Sequence, residues 1–293
     1  MRVLFLVLLF AVSFSLFHTA VFYTAGCSAS NVNFGHYASQ AERRLKLSLR
    51  VVTYNTQAGL PGTSKLELLK AYRYVFRLKK FPISVSPGMR QAVIHATQTN
   101  ADLLCLNEIP AQWINTVLGL LGEAGYTYSA TSATNGLVRW SVGTIVSSRH
   151  PAQSLPIHLP RENTLQGGGG TAALYVPRIN TAFVGTHLGW EAPGFPRIIS
   201  RQIDFLADYC FQQKRLGRNV VMVGDFNTED LSKSSLVALA FAECTQPTYP
   251  RWEPQKSLDH ILCDPRLSIT HCGTFQGSSD HLGLYADIKH PSS

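Results

Sequence analysis

The sequence predicts an α/β protein in which two packed β-sheets carry helices on their outer faces. Three observations lead there. Short apolar runs rich in β-branched residues, at 49–54, 103–106, 144–147, 172–176, 182–186, 220–223, 258–262 and 282–288, read as buried or half-buried strands. Segments with helical spacing interleave with them at 65–80, 89–99, 112–124, 196–216 and 231–240. The strands outnumber the helices, which favours two stacked sheets.

The chain has 293 residues, 45% hydrophobic and 15% charged, enough for one large core in one domain at 46–290. Ahead of it, Arg2 is followed by an apolar run from Val3 to Ala25, interrupted only by His18 and a few hydroxyl residues. Residues 1–27 therefore read as a signal peptide, a lipoprotein signal or a membrane anchor, since about 20 apolar residues suffice to span a bilayer. Thr24-Ala25-Gly26-Cys27 resembles a bacterial lipidation box, although Tyr23 and Thr24 stand where a bulky aliphatic residue is usual. Residues 28–45 are polar and small, a tether. The expectation is an exported monomer, membrane-tethered or periplasmic/extracellular.

Six cysteines (Cys27, Cys105, Cys210, Cys244, Cys263 and Cys272) include no C-x-x-C pair, which argues against a structural zinc site. Buried free thiols are the expected state. In an oxidising compartment, a Cys263–Cys272 bridge across a turn at 264–266 is the alternative.

Between Glu42 and Lys80 stand ten Lys or Arg against two acids, so this stretch carries the whole formal charge of +8. Within it, Ser64-Lys65-Leu66-Glu67 has capping-box spacing and Pro82 closes the helix predicted at 65–80. Lys70, Arg73, Arg77 and Lys80 form a basic stripe opposite Leu68, Tyr72, Val75 and Phe76. The stripe is either a solvated face or a contact surface for phosphate groups on nucleic acid or a membrane. Gly167 to Gly170 form a hairpin or mobile loop without a nucleotide-loop pattern.

Polar clusters follow the apolar strands: Thr53-Tyr54-Asn55, Leu106-Asn107-Glu108, Gly185-Thr186-His187-Leu188, Gly224-Asp225-Phe226-Asn227, Asp259-His260 and Asp280-His281. A carboxylate such as Glu108 at the end of a buried strand is costly unless it is paired or binds metal, and Mg²⁺ suits such a ligand. Asp225 and Asn227, two residues apart, point to one side of an extended chain, where an acid can take a proton from water and an amide can orient it. Alone, the same four residues would make an Asx turn. His187 can donate to a phosphate oxygen, with Asp259 fixing its tautomer. Asp280 and His281 add a further carboxylate and imidazole.

This ordered series resembles the endonuclease/exonuclease/phosphatase superfamily, which includes pancreatic-type deoxyribonuclease, abasic-site endonuclease, neutral sphingomyelinase and inositol-polyphosphate phosphatase. The similarity spans about residues 47–288, through Asn55, Glu108, Thr186-His187-Leu188, Gly224 to Asn227, Asp259-His260-Ile261 and Ser279-Asp280-His281. The resemblance implies a four-layer α/β/β/α sandwich of two mixed β-sheets flanked by helices. It also implies a Mg²⁺ or Mn²⁺ centre that hydrolyses phosphodiesters or phosphomonoesters. Glu108 would bind metal with Asn55 and Asp280, while Asp225 and Asn227 position the nucleophile. His187, oriented by Asp259, would act with His281 on the phosphate and leaving group. Tyr249-Pro250-Arg251-Trp252 looks like a T-[FY]-P-x-W segment of bacterial members.

Departures bear on the substrate. His187, where abasic-site endonucleases have tyrosine, and Pro110, where deoxyribonucleases have an arginine, weaken both specific likenesses. Asn107 replaces a usual glutamine and Gly283 a usual proline, with mild consequence. The substrate is expected to be a nucleic acid, phospholipid or sugar phosphate, and residues 1–27 and the helix at 65–80 are the expected membrane contacts. The alternative is a non-catalytic module that docks anionic surfaces through that helix.

Overall fold

A computed structural model describes residues 48–60, 64–66, 85–133, 142–160, 170–190 and 198–289. Residues 1–27, expected as an export signal or anchor, the expected tether of 28–45, the glycines at 167–169 and the basic stripe Lys70, Arg73, Arg77 and Lys80 lie outside them.

In chain order the elements are β1 (Ser48–Asn55), α1 (Pro87–Gln98), β2 (Leu103–Pro110), α2 (Ile114–Glu123), β3 (Tyr128–Ala133), β4 (Val142–Ser148), β5 (Gln153–Leu155), β6 (Gly170–Val176), β7 (Thr181–His187), α3 (Ile198–Arg215), β8 (Asn219–Asp225), β9 (Ala242–Thr245), β10 (Asp259–Cys263), β11 (Ser268–Phe275) and β12 (Gly283–Lys289). They form two six-stranded sheets, ordered β11-β12-β1-β2-β4-β3 and β5-β6-β7-β8-β10-β9. Both are mixed: β1 runs parallel to β2 and β7 to β8, while the remaining neighbours are antiparallel.

The alternation along β1 shows why its apolar run is continuous. Val51 faces the other sheet, packing with Val146, Phe183 and Val223, whereas Val52 and Tyr54 face the helix side with Met89 of α1 and Val117 of α2. On the second sheet, Val184, Val220 and Met222 pack under Ile199, Ile203, Leu206 and Cys210, the inner stripe of α3. Apolar layers thus lie between the sheets and under the helices, so central strands are buried on both faces and cannot alternate with polar residues. The predicted sandwich is the observed one. Helix α1 starts as its sequence dictates, with Pro87 in the first turn and Ser86 Oγ accepting from Met89 N at 3.1 Å.

Two expectations are corrected. The helix expected at 231–240 reduces to a 3₁₀ turn at Ser235–Leu239. Short polar side chains divert the backbone there, as Ser234 Oγ donates to Leu231 O at 2.6 Å and Asp230 Oδ1 accepts from Ser232 N at 2.8 Å. The second correction concerns the thiols, because Cys272 is bonded to Cys244 and not to Cys263. Cys263 points into the core between the sheets, while β9 and β11, the edge strands carrying the bonded pair, lie side by side across the sandwich. Cys105, Cys210 and Cys263 are buried free thiols, as expected. Burial pushes each thiol up to about 12, so they stay protonated and inert.

The bridge closes a loop with a sequence separation of 28. Restriction of the unfolded chain by a loop of that length corresponds to about 3.6 kcal/mol. Cys244→Ser is expected to lose about that much, read from the urea midpoint; equal midpoints for oxidised wild type and variant would contradict it.

Candidate active site

Strand register brings the polar clusters to one edge. In the parallel pairs Asn55 lies opposite Asn107 and His187 opposite Asp225, so both pairs end together. β10 begins antiparallel to the end of β8, with Asp259 opposite Asp225. β12 starts beside the end of β1, Leu284 opposite Thr53, which delivers Asp280 and His281 from the preceding loop. Gly224 permits the close approach: its φ is +146°, and a Cβ there would meet Thr186 O at 1.8 Å.

Glu108 is aimed by an irregularity. The β2–β4 register slips between Leu106 and Ile109, and Glu108 takes φ +59°, a conformation costly for a non-glycine residue. Asn55 Nδ2 then donates to Glu108 Oε1 at 3.1 Å and to Asp225 Oδ2 at 2.9 Å. Asn55 therefore presents its amide nitrogen to both carboxylates and ties the two sheets together. Asp225 Oδ1 accepts from Asn227 N at 2.8 Å, while Asn227 Nδ2 donates to Leu188 O at 2.8 Å. Asn227 has φ +51°, so the turn, rather than an extended chain, sets its direction. His187 Nε2 lies 3.7 Å from Glu108 Oε1 and 3.9 Å from Asp225 Oδ2.

Asp259 differs from expectation. Its Oδ2 accepts from His281 Nδ1 at 2.8 Å and from Thr248 Oγ1 at 2.6 Å, so it orients His281 rather than His187. The reason is position: Asp259 opens β10 next to the loop bearing His281, whereas His187 ends β7 on the far side of β8. Burial opposes a charged His281, but Asp259, then Asp225 and Asp280, outweigh it and carry its pKa up to about 10. The imidazole is thus a cation at neutral pH, with Nε2 3.8 Å from Asp225 Oδ2 and the Tyr249 ring 4.9 Å away.

All eight candidate residues gather here or support the gathering, and several partners join them whose roles carried no signal in sequence. Gln57 Oε1 accepts from Asp280 N at 3.1 Å. Tyr54 Oη accepts from Ser278 N and Ser279 N at 2.8 and 2.9 Å, fixing the loop before Asp280. Asn107 Nδ2 reaches Thr186 O at 3.1 Å and its Oδ1 accepts from Asp225 N at 3.3 Å, cross-linking the sheets beneath the site. Tyr54, Asn107 and Ser279 stood in the clusters read from the sequence, though without these roles, and Thr248 directly precedes the Tyr249-Pro250-Arg251-Trp252 segment.

The match to the Endonuclease/Exonuclease/phosphatase family covers residues 52–281, the span that contains every one of these side chains. The chain belongs to this family. No curated protein matches the sequence. Among solved structures, a family member from Beutenbergia cavernae is similar with 21% identity and TM-score 0.58, covering 83% of this chain and 72% of that one. The human nocturnin catalytic domain with bound sulfate gives 18% and 0.56, covering 83% and 93%. ANGEL2, a 2′,3′-cyclic phosphatase, in complex with adenosine-2′,3′-vanadate gives 15% and 0.61, covering 84% and 96%. At these identities the likeness is one of fold.

Family members are hydrolases of phosphoesters and generally use divalent metal, so the donor set is the test of fit. Two groups offer themselves. Ligand atoms of Asp225, Asp259 and His281 lie within 4.8 Å of one another, but His281 Nδ1 and Asp259 Oδ2 are already bonded to each other at 2.8 Å, and Thr248 Oγ1 takes the same oxygen. Glu108 and Asp280 are the better set. Burial, then the Glu108 charge, pushes the Asp280 carboxyl up to about 6. A cation between two such carboxylates relieves that repulsion, and oxygen donors suit Mg²⁺ or Mn²⁺.

Proposed function

We propose that the chain is an exported, Mg²⁺- or Mn²⁺-dependent phosphoesterase, cleaving phosphodiester or phosphomonoester bonds by attack of water at phosphorus. The observation that carries this is the Asn55 amide, which holds Glu108 and Asp225 together between an imidazolium and a second imidazole. Glu108 and Asp280 would hold the ion; Asn55, expected as a third ligand, has its Oδ1 taken by Gln57 N at 3.0 Å and its Nδ2 donated to Glu108 and Asp225, so it orients Glu108. The metal, when bound, neutralises phosphate oxygens and makes water more acidic. Asp225, fixed by Asn55 and by the Asn227 amide, takes the proton of the attacking water. The His281 cation donates from Nε2 to a non-bridging oxygen, where negative charge builds up in the transition state. His187 donates to the leaving oxygen.

Support for a nucleotide-like ester comes from the similar folds that hold sulfate and adenosine-2′,3′-vanadate; a phospholipid or sugar phosphate fits the same chemistry. Export is supported by the Cys244–Cys272 bridge, which persists in oxidising compartments. We place the protein outside the cytoplasm as a monomer, with residues 1–27 and the stripe of 65–80 as its membrane contacts. Among the described residues no helix is long and apolar enough to cross a membrane.

Ester cleavage of DNA (shorter strands), sphingomyelin (phosphocholine) and inositol phosphates (inorganic phosphate), with and without EDTA, tests the proposal. Activity that survives EDTA removes the metal. Glu108→Gln should raise the Mg²⁺ concentration for half-maximal rate by about 10–100-fold. Unchanged Mg²⁺ dependence would take Glu108 out of the metal site. Loss of function on charge reversal of the 65–80 helix, with Asp225→Ala silent, would instead favour the non-catalytic docking module.

A further inference from the structure

Two buried nitrogens on different elements have no hydrogen-bond partner: Arg251 Nη1, whose residue is bonded to the loop that carries Asp280, and His95 Nδ1 of α1. Arg251 is firmly seated, its backbone N donating to Asp280 O at 2.7 Å and its Nε to Gln276 Oε1 at 3.0 Å. Gln276 is a neutral partner, and among the described residues no carboxylate pairs with Arg251. A guanidinium held in place without a counter-charge, one nitrogen shielded from water, is costly unless an anion completes it.

His95 points the same way. It lies on α1 and its Nε2 is 2.9 Å from the Gln91 amide nitrogen. An amide nitrogen only donates, so Nε2 accepts and the ring proton sits on Nδ1. The unpartnered atom is therefore a second donor. Burial, then the Arg251 charge, lowers the His95 pKa, which keeps the ring neutral in this tautomer. The Arg251 charge also acts on Tyr54, whose hydroxyl accepts from Ser278 N and Ser279 N, and Ser278 Oγ reaches Gly88 O of α1 at 3.4 Å. Arg251 is thus bonded to the loop at Asp280, a candidate metal ligand, and at Gln276, and its charge reaches His95 of α1.

We propose that Arg251 and His95 form an anion subsite that receives a second phosphate of the substrate, adjacent to the one being cleaved. This rests on the phosphoesterase reading of the centre and narrows it to substrates with more than one phosphate, such as oligonucleotides. A guanidinium suits the role because its fork matches phosphate oxygens.

The test uses the full chain with thymidine dinucleotides bearing or lacking an additional terminal phosphate, at the 5′ or the 3′ end. Wild type should favour a phosphate-bearing substrate, and Arg251→Ala should cut that preference about tenfold through KM, with kcat retained. Arg251→Lys should restore part of it, and His95→Phe should move it in the same direction as alanine. A KM that rises equally for both substrates, or an unmoved preference, overturns the subsite. If wild type cleaves neither dinucleotide, the phosphoesterase reading has failed, and equilibrium binding of the same compounds in EDTA decides the subsite. A selective loss for the phosphate-bearing compound in Arg251→Ala then upholds it, and equal binding by wild type and variant rejects it.

Discussion

Asp225→Asn is expected to lower kcat by about 10³-fold while leaving the fold intact, because it removes a base and little volume. The carboxylate sits where β8 ends, accepts from Asn227 N and Asn55 Nδ2, and lies 3.8–3.9 Å from two imidazole nitrogens. Each neighbour donates or faces it with a ring nitrogen, so the oxygens are presented as acceptors. The asparagine keeps one oxygen for the Asn227 amide but turns an NH₂ toward the Asn55 NH₂, which weakens the tie to Glu108 as well. Asp225→Ala should lose a similar factor by deleting both oxygens. Single-turnover rates at saturating substrate and metal measure the chemical step directly. A variant that retains more than about a tenth of the wild-type rate would show that Asp225 is not the base.

What the sequence revealed follows burial. The strands at 49–54, 103–106, 182–186 and 220–223 are central and covered on both faces, so they read as unbroken apolar runs. β3, β5, β9 and β11, none of them anticipated, are the edge strands of the two sheets. An edge strand needs only one apolar face and bears polar residues such as Glu243 and His271, so its pattern merges with that of loops. The same blindness produced the wrong disulfide, since Cys244 and Cys272 both stand on edges whose proximity is purely tertiary. In the site, residue types were legible because four of the polar clusters end an apolar run, while Asp259 opens β10 and Asp280-His281 lie just before β12, against the expectation that every cluster follows a strand. Pairing was not legible, because the partner of Asp259 is decided by which strand ends lie side by side. Gln57 escaped for a further reason: its work is to hold a backbone group, and a lone amide has no periodicity to betray it.

The pairing of Asp259 with His281 has its own consequence for pH. Of the groups that favour a protonated His281, Asp259 comes first, both by its charge and by its hydrogen bond to Nδ1. Its pKa of about 10 keeps Nε2–H available to a phosphate oxygen across the neutral range and withdraws it only on the alkaline side. Asp259→Asn removes the charge, while its amide oxygen in the place of Oδ2 still accepts from both Thr248 Oγ1 and His281 Nδ1, so the His281 pKa must fall with the ring kept in place. The expected result is a kcat lower by about 10²–10³-fold, with the alkaline limb of kcat/KM displaced to lower pH. His187, on the far side of β8, makes no such bond to Asp259, so His187→Gln should lower the rate but leave that limb where it is. If Asp259→Asn lowered the rate without moving the alkaline limb, the carboxylate would serve only to place the ring. If His187→Gln moved the limb instead, the proton that matters would belong to His187.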